Sequence, residues 1–503
     1  MPFLAALLAT IAFIPIDDRP VTAQFPVLLG RVAGVPVRAP GPALLGRFLR
    51  PGSSDALVIW LNREGAQHGA RDFVVSTDML AYGGLIASRA PGATYFDAES
   101  RLRELAHLRG EYPRAWIGAF GTIMRLAPTG IPAGTTFFAA YPLWEYLQEY
   151  ANLHDPLLPN EAATAAQLRR QIGDATFYAY LATRGRNLAI DRLLLKMTGA
   201  GTIDRLVLGQ DDAGPVGLHV PDVRTLQADL ASLNLGERAS IEPGADELGT
   251  ALVAHAIARA ARWQPRIAVR YSTPGGAAFQ DPIEFAPISN AINALIGLCG
   301  GVSDDANPEI VLYVRVPHTT PAEDDALESA MRADAAAGRS VALADLSFLA
   351  TYEDQGAFAR RILASGVAAK LDAYSSWNTN ANTVGTALAE AISAGAGRRT
   401  HTYDGLAHRT ATFIRFLDDY AFHDLVRPDI NAALTAQGIP DHTLLSPDVA
   451  RTTEQRARAL LWSYAPQILA QLDPGYHIAA ISITLPWDRT FETEIQVGLA
   501  PNL

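Results

Sequence analysis

From residue 11 to about residue 395 the chain alternates short apolar runs with longer helical patterns, and this rhythm restricts the fold more than any other feature. The apolar runs fall at 11–16, 35–39, 72–77, 115–120, 205–208, 240–242, 266–271, 309–316, 340–344 and 371–374. They are rich in Val, Ile and Leu with little polar alternation, as strands covered on both faces are. Helical patterns at 98–108, 161–173, 244–262 and 322–337 lie between them. This order predicts an α/β fold built mainly from parallel β/α units. Ten such runs are two more than a closed eight-stranded barrel uses. A decorated barrel and a pair of doubly wound sheets both fit.

Two regions break the rhythm. Residues 131–200 lack a clear strand and read as a helical insertion. From about residue 398 the pattern changes to helices at 413–425 and 454–472, then to alternating runs at 477–485 and 491–497 around Pro486-Trp487-Asp488-Arg489. That alternation predicts a β-hairpin. The expected organisation is an α/β domain over 1–395 that carries the insertion, followed by a region of helices and hairpin over 396–503.

Composition removes several classes of function. A net charge of −11 argues against a nucleic-acid partner or an anionic membrane surface. A single cysteine, Cys299, excludes an intrachain disulfide framework and multi-cysteine metal sites. Lys196 and Lys370 are the only lysines, and neither follows a Gly-rich loop, so a P-loop is ruled out. No G-x-S-x-G elbow and no H-E-x-x-H helix occurs. No run later in the chain reaches about 18 apolar residues, so no integral membrane span is expected. Residues 3–14 form an apolar run of signal-peptide length, with Ala9 and Ala12 as small residues near its end. No Lys or Arg precedes that run, and the competing reading is a buried first strand. Export and a cytoplasmic location both stay open.

The polar clusters fall just after the predicted strands. Asp17-Asp18-Arg19-Pro20 follows the first, and Asp78, in Ser76-Thr77-Asp78-Met79-Leu80-Ala81-Tyr82, follows the third. Arg125 follows the fourth, Gln210-Asp211-Asp212 the fifth, and Gly244-Ala245-Asp246-Glu247 the sixth. Trp377, Asn378 and Asn382 follow the last of the series. In parallel α/β folds, ligands bind at the carboxyl ends of the strands, where loops and helix N-termini converge. Each acidic residue also has a structural reading, because Asp at a strand-to-helix junction is a common N-cap. Asp246 is the most cap-like of the set, and Asp18 with Arg19 reads equally as a local ion pair. The adjacent pair Asp211-Asp212 is harder to use up in capping.

Paired carboxylates suit glycosidic-bond cleavage, with one as acid and the other as nucleophile or base. Tyr82 and Trp377 offer apolar platforms for a sugar ring, and asparagine amides offer both donor and acceptor to its hydroxyls. The same carboxylates are also oxygen ligands of the kind a divalent metal takes. His219, close after Asp211-Asp212, reads more simply as a helix-entry residue than as a ligand. Cys299, after an apolar helical pattern, reads as a small buried residue rather than a nucleophile.

Five motifs in order are similar to those of the bacterial domain-of-unknown-function family 4127. They are Pro15–Val21 (PIDDRPV), Ser76–Arg89 (STDMLAYGGLIASR), Gly209–His219 (GQDDAGPVGLH), Gly244–Leu248 (GADEL) and Trp377–Gly385 (WNTNANTVG). The resemblance covers nearly the whole chain. It implies that Asp17, Asp18, Asp78, Asp211, Asp212, Asp246 and Glu247 belong to one set, and it carries no activity. Ser375-Ser376 before Trp377 departs from the pattern, in which a glycine is expected, as does the apolar lead-in before Thr10.

The expectation is a glycoside hydrolase acting on a small sugar or glycan end, without an organic cofactor. Asp211 or Asp212 serves as nucleophile or base, and Asp246 or Glu247 as acid. Asp17, Asp18, Arg19, Asp78 and Arg125 hold substituents, while Tyr82, Trp377, Asn378 and Asn382 line the pocket. The alternatives are a Mg²⁺- or Mn²⁺-dependent hydrolase or isomerase and a non-catalytic sugar-binding protein.

Overall fold

The structure, a computed structural model, describes residues 10–126, 144–211, 213–281, 284, 286–347, 356–440 and 444–502. The chain divides into two compact units, each built from several segments. One comprises Met1–Asp18, Pro36–Gly249 and Gln280–Ala286; the other comprises Arg19–Val35, Thr250–Phe279 and Pro287–Leu503.

The first unit holds six parallel strands: β1 (Thr10–Ile14), β2 (Val37–Arg38), β3 (Ala70–Ser76), β4 (Trp116–Ile123), β5 (Arg205–Gln210) and β6 (Ala239–Pro243). Their order in the sheet is β2-β1-β3-β4-β5-β6. Register aligns the carboxyl ends closely, pairing Ile14 with Val75, Ser76 with Phe120 and Ile123 with Gln210. The helical insertion supplies Trp144–Ala151, Ala162–Ile172 and Asp174–Gly199. Their apolar faces close a local core of Leu147, Leu168, Ile172 and Phe177 with Met124 and Leu126 beyond β4.

The second unit holds five more parallel strands: β7 (Arg266–Tyr271), β8 (Val302–Ser303), β9 (Ile310–Arg315), β10 (Ser340–Asp345) and β11 (Ala373–Ser375). Their order is β11-β10-β9-β7-β8. Neither sheet closes on itself, which decides between the two architectures in favour of open, doubly wound sheets. Numbered within its own sheet, the first follows the order 2-1-3-4-5-6 and the second 2-1-3-4-5. The order reverses between β1 and β3 in the first unit and between β7 and β9 in the second. In open α/β sheets the binding crevice lies at such reversals, outside the carboxyl ends of the strands.

The C-terminal strands β12 (Tyr476–Thr484) and β13 (Glu494–Pro501) form the antiparallel hairpin. Ile481, Ile483 and Ile495 join the second unit's core with Phe416, Phe422, Leu461 and Ile468. The helix Gly405–Arg415 runs on into eleven residues with i→i+5 bonding, Phe416–Val426. Such π-helical stretches are rare and usually a single turn long.

A polar cluster lies inside this core. Glu390, on the helix Asn380–Thr400, is fully buried, and its Oε1 accepts a hydrogen bond from Thr412 Oγ1 at 2.8 Å. Burial lifts its carboxyl from the ordinary 4.5 to about 8, against the opposing pull of Thr412 and Arg415. Between those two pH values the folded chain keeps a proton that the unfolded chain releases. Glu390 therefore lowers stability as pH rises through that window, with a limiting slope of about 1.4 kcal/mol per pH unit. Replacing it as Glu390→Gln is expected to remove this slope and raise the unfolding midpoint at pH 8, with the two proteins converging below pH 4.5. Denaturant unfolding across that range checks the expectation; parallel pH curves for the two proteins would contradict it.

Candidate functional site

At the reversal in the first sheet, β1 leads into Pro15-Ile16-Asp17-Asp18, with Asp17 buried and Asp18 partly exposed. Beside it, β3 runs directly into the helix Thr77–Tyr82, capped by Ser76 Oγ, which accepts from Met79 N at 3.2 Å. That helix ends at Gly83 and Gly84, both with positive φ (91° and 127°). Three backbone bonds tie the turn down: Gly84 N to Asp78 O at 3.1 Å, Leu85 N to Ile16 O at 3.2 Å, and Gly52 N to Gly83 O at 2.8 Å. A Cβ at Gly83 would lie 2.8 Å from the backbone of Gly52, so both conformation and space require glycine there.

This turn fixes the helix that carries Asp78. Asp78 Oδ2 accepts from both the backbone N and the Oγ1 of Thr122, on neighbouring β4, each at 2.8 Å. The side chain is 4% exposed. Burial raises its pKa to about 6, although Thr122, Arg89 and Arg186 all favour the charged form. An aspartate held there is a proton donor in slightly acidic solution.

Arg89 is buried and ion-pairs through Nη2 with Asp211 Oδ2, just past the end of β5. The same guanidinium acts electrostatically on Asp78, so one cation links the two carboxyl groups. The insertion holds the segment that carries Arg89. Arg186 donates from Nη1 to Ala90 O (3.3 Å) and Ala93 O (2.8 Å), and from Nη2 to Ser88 O (2.5 Å). Its Nε and Nη2 also reach Asn187 Oδ1, at 3.0 and 2.8 Å. Asn187 Nδ2 adds a further bond to Ser88 O at 2.9 Å. Two residues earlier, Arg184 donates to Met124 O and Arg125 O at 2.9 and 3.1 Å and pairs with Asp222 at 2.6 Å. These bonds fasten the segment after β4, where Arg125 sits partly exposed.

Along β5 and β6 the geometry is different. Asp212 lies outside the described residues. Gly244 N bonds to Gln210 O at 3.0 Å, and Glu247 folds back so that its Oε2 accepts from Ala245 N at 3.2 Å. A Cβ at Gly244 would meet Glu247 Oε1 at 2.0 Å, so the buried carboxylate rests against its own turn. Asp246 beside it is buried. His219 is buried, and burial pushes its imidazole down to about 4, so it is neutral at physiological pH. Among the described residues no three His, Cys, Asp or Glu side chains form a group suited to a metal ion.

Arg19, Trp377, Asn378 and Asn382 belong to the second unit. Arg19 precedes the helix Pro20–Ala33, with its guanidinium 4.8 Å from the ring centroid of Trp487. Trp377 is buried, and its indole N–H donates to Thr386 Oγ1 at 3.0 Å. Asn382 completes a capping box with Thr379 at the start of the helix Asn380–Thr400, and its Oδ1 also accepts from Asn378 Nδ2 at 2.8 Å. The hydrogen bonds of Trp377, Asn378 and Asn382 organise the turn after β11.

The sequence reading missed Arg89, Thr122, Arg186, Asn187 and Asp191. One signal was present: Arg184, Asn187 and Asp191 recur at i, i+3 and i+7, placing three polar residues on one helix face, and all three are buried. The clamp generates a prediction. Arg186→Met and Asn187→Ala are each expected to destabilise the protein by about 1–3 kcal/mol, because buried carbonyls lose their donors. Amides of residues 88–93 should then exchange faster with solvent, as read by hydrogen–deuterium exchange. Unchanged exchange there in both variants would show that the clamp does not hold the segment.

No curated protein and no solved structure matches the chain. One family does, that described as "Protein of unknown function (DUF4127)", and its match spans residues 11–496, nearly the whole length. The chain belongs to this family.

Proposed function

We propose that the protein is a glycoside hydrolase whose reacting groups lie at the carboxyl edge of the first sheet. The observation that supports this most is the contrast between two carboxyl groups around Arg89. Asp78 is buried and raised to about 6, while Asp211 is ion-paired to that arginine. Environments that drive two carboxyl groups apart assign the acid and the base of such a reaction. Asp78 donates its proton to the glycosidic oxygen as that oxygen leaves. Asp211 either attacks the anomeric carbon directly or takes a proton from the water that does so. This moves the acid role from Asp246 or Glu247 to Asp78, because Glu247 rests against its own turn.

The test is incubation of the full chain with a panel of nitrophenyl glycosides and natural glycans, with and without EDTA. Product release that survives EDTA is expected, with kcat/KM falling as pH rises through about 6, where Asp78 loses its proton. Asp78→Asn and Asp211→Asn should each lower kcat by about 10²–10⁴-fold while leaving the unfolding temperature near that of the parent. Release that disappears with EDTA and returns with Mg²⁺ or Mn²⁺ would point to metal-dependent hydrolysis instead. Saturable binding with no product would point to a sugar-binding protein.

A further inference from the structure

Two polar side chains next to Asp78 have no hydrogen-bond partner among the described residues. Tyr82, at the end of the Asp78 helix, is 7% exposed, and its buried hydroxyl has no partner in good hydrogen-bond geometry, with only the Arg186 guanidinium close by. One face of the ring is taken, because the Arg186 guanidinium lies over it, 4.4 Å from the centroid, and little of the side chain is exposed. Tyr82 thus offers its hydroxyl rather than a platform. Asp191, from the insertion helix Asp174–Gly199, is 6% exposed. Its carboxyl lies within electrostatic reach of Asp78, Tyr82 and Asp222. Burial first, then the charges of Asp78 and Asp222, push Asp191 far above the usual carboxylate range. Burial likewise keeps Tyr82 a phenol. Burial therefore favours the protonated form of both groups, in which each can donate and accept.

Buried polar atoms left without partners lower stability, and native folds retain few of them. An unpartnered buried hydroxyl and a nearly buried carboxyl group beside a buried acid are what a site looks like when the ligand supplies the missing partners. We propose that Tyr82 and Asp191 form a subsite for a hydroxyl-bearing, uncharged sugar ring held beside Asp78. This inference rests on the hydrolase reading and narrows its substrate class. The preference for an uncharged ring follows from the two nearby cations. Arg89 is engaged by Asp211, and the N–H groups of Arg186 are taken up by three carbonyls and Asn187. An anionic substituent would meet hydroxyl and carboxyl groups where it needs a guanidinium fork.

Calorimetric titration of the full chain with nitrophenyl glycosides of neutral hexoses and of hexuronic acids tests this. The proteins compared are the parent, Tyr82→Phe, Asp191→Asn and Asp191→Leu, each with its unfolding temperature. The neutral glycosides are expected to bind the parent and to lose about tenfold in affinity with Tyr82→Phe and Asp191→Leu. Asp191→Asn, which keeps a donor and an acceptor, should stay within about threefold. The unfolding temperatures of Tyr82→Phe and Asp191→Leu should hold or rise, since each removes an unpartnered buried polar group. A structural role would lower them. Parental affinity in both variants, tighter binding of the uronic acids, or no binding of any glycoside by the parent would each overturn the subsite. Binding without hydrolysis would remove the hydrolase reading and leave the subsite standing.

Discussion

A strand such as Trp116–Ile123, buried at all eight positions, has no place along its length for a carboxylate. A parallel sheet covered on both faces admits polar side chains only where its strands end. Both sheets here obey that constraint. In the first, Asp17, Asp78 and Asp211 all come within a few residues of the carboxyl ends of β1, β3 and β5. In the second, β9 ends at Arg315 and β10 at Asp345, whose side chains pair at 3.3 Å. Just past β11, Ser376 N donates to Asp419 Oδ2 at 2.7 Å. The reversal of strand order then favours the β1–β3 edge of the first sheet as the place for a ligand, with Asp17 on one side and Asp78 on the other.

The insertion is what makes the first edge more than a row of acids. Arg186 and Asn187 bond to the carbonyls of Ser88, Ala90 and Ala93, and so set the position of Arg89. Arg89 in turn connects Asp78 and Asp211. The same helix carries the buried Asp191 within electrostatic reach of Asp78. Apolar packing of Leu168, Phe177 and Tyr180 against Met124 and Leu126 anchors the insertion beyond β4. A hydrophobic contact on one side of the helix therefore fixes electrostatics on the other.

Much of the architecture was legible because it rests on local periodicity. Each of the ten apolar runs overlaps an observed strand, and the alternating C-terminal runs form the hairpin. The short strand Val302–Ser303 escaped, since two exposed residues carry no pattern. Whether the strands close into a barrel depends on long-range pairing, which periodicity does not encode; the observed order shows two open sheets. The i→i+5 stretch Phe416–Val426 was read as ordinary helix for the same reason. At the site, Asp78 and Asp211 were found by their position after strands. Arg186 and Asp191 were not, because a polar residue within a helix gives no sign of which strand end it will reach. Trp377, Asn378 and Asn382 show the opposite limit: side chains that look like ligand groups are held by Thr386, Thr379 and one another.

The hydrolase reading requires Asp78 to be a buried acid that keeps its proton up to about pH 6. Carbon-13 titration of the aspartate carboxyl signals, with Asp78→Asn used to assign the resonance, measures that property directly and needs no substrate. The account predicts a midpoint near 6 for Asp78, well above the ordinary 3.8. A midpoint at or below the ordinary value would show that Thr122 and the two arginines outweigh burial, and Asp78 could not then be the acid.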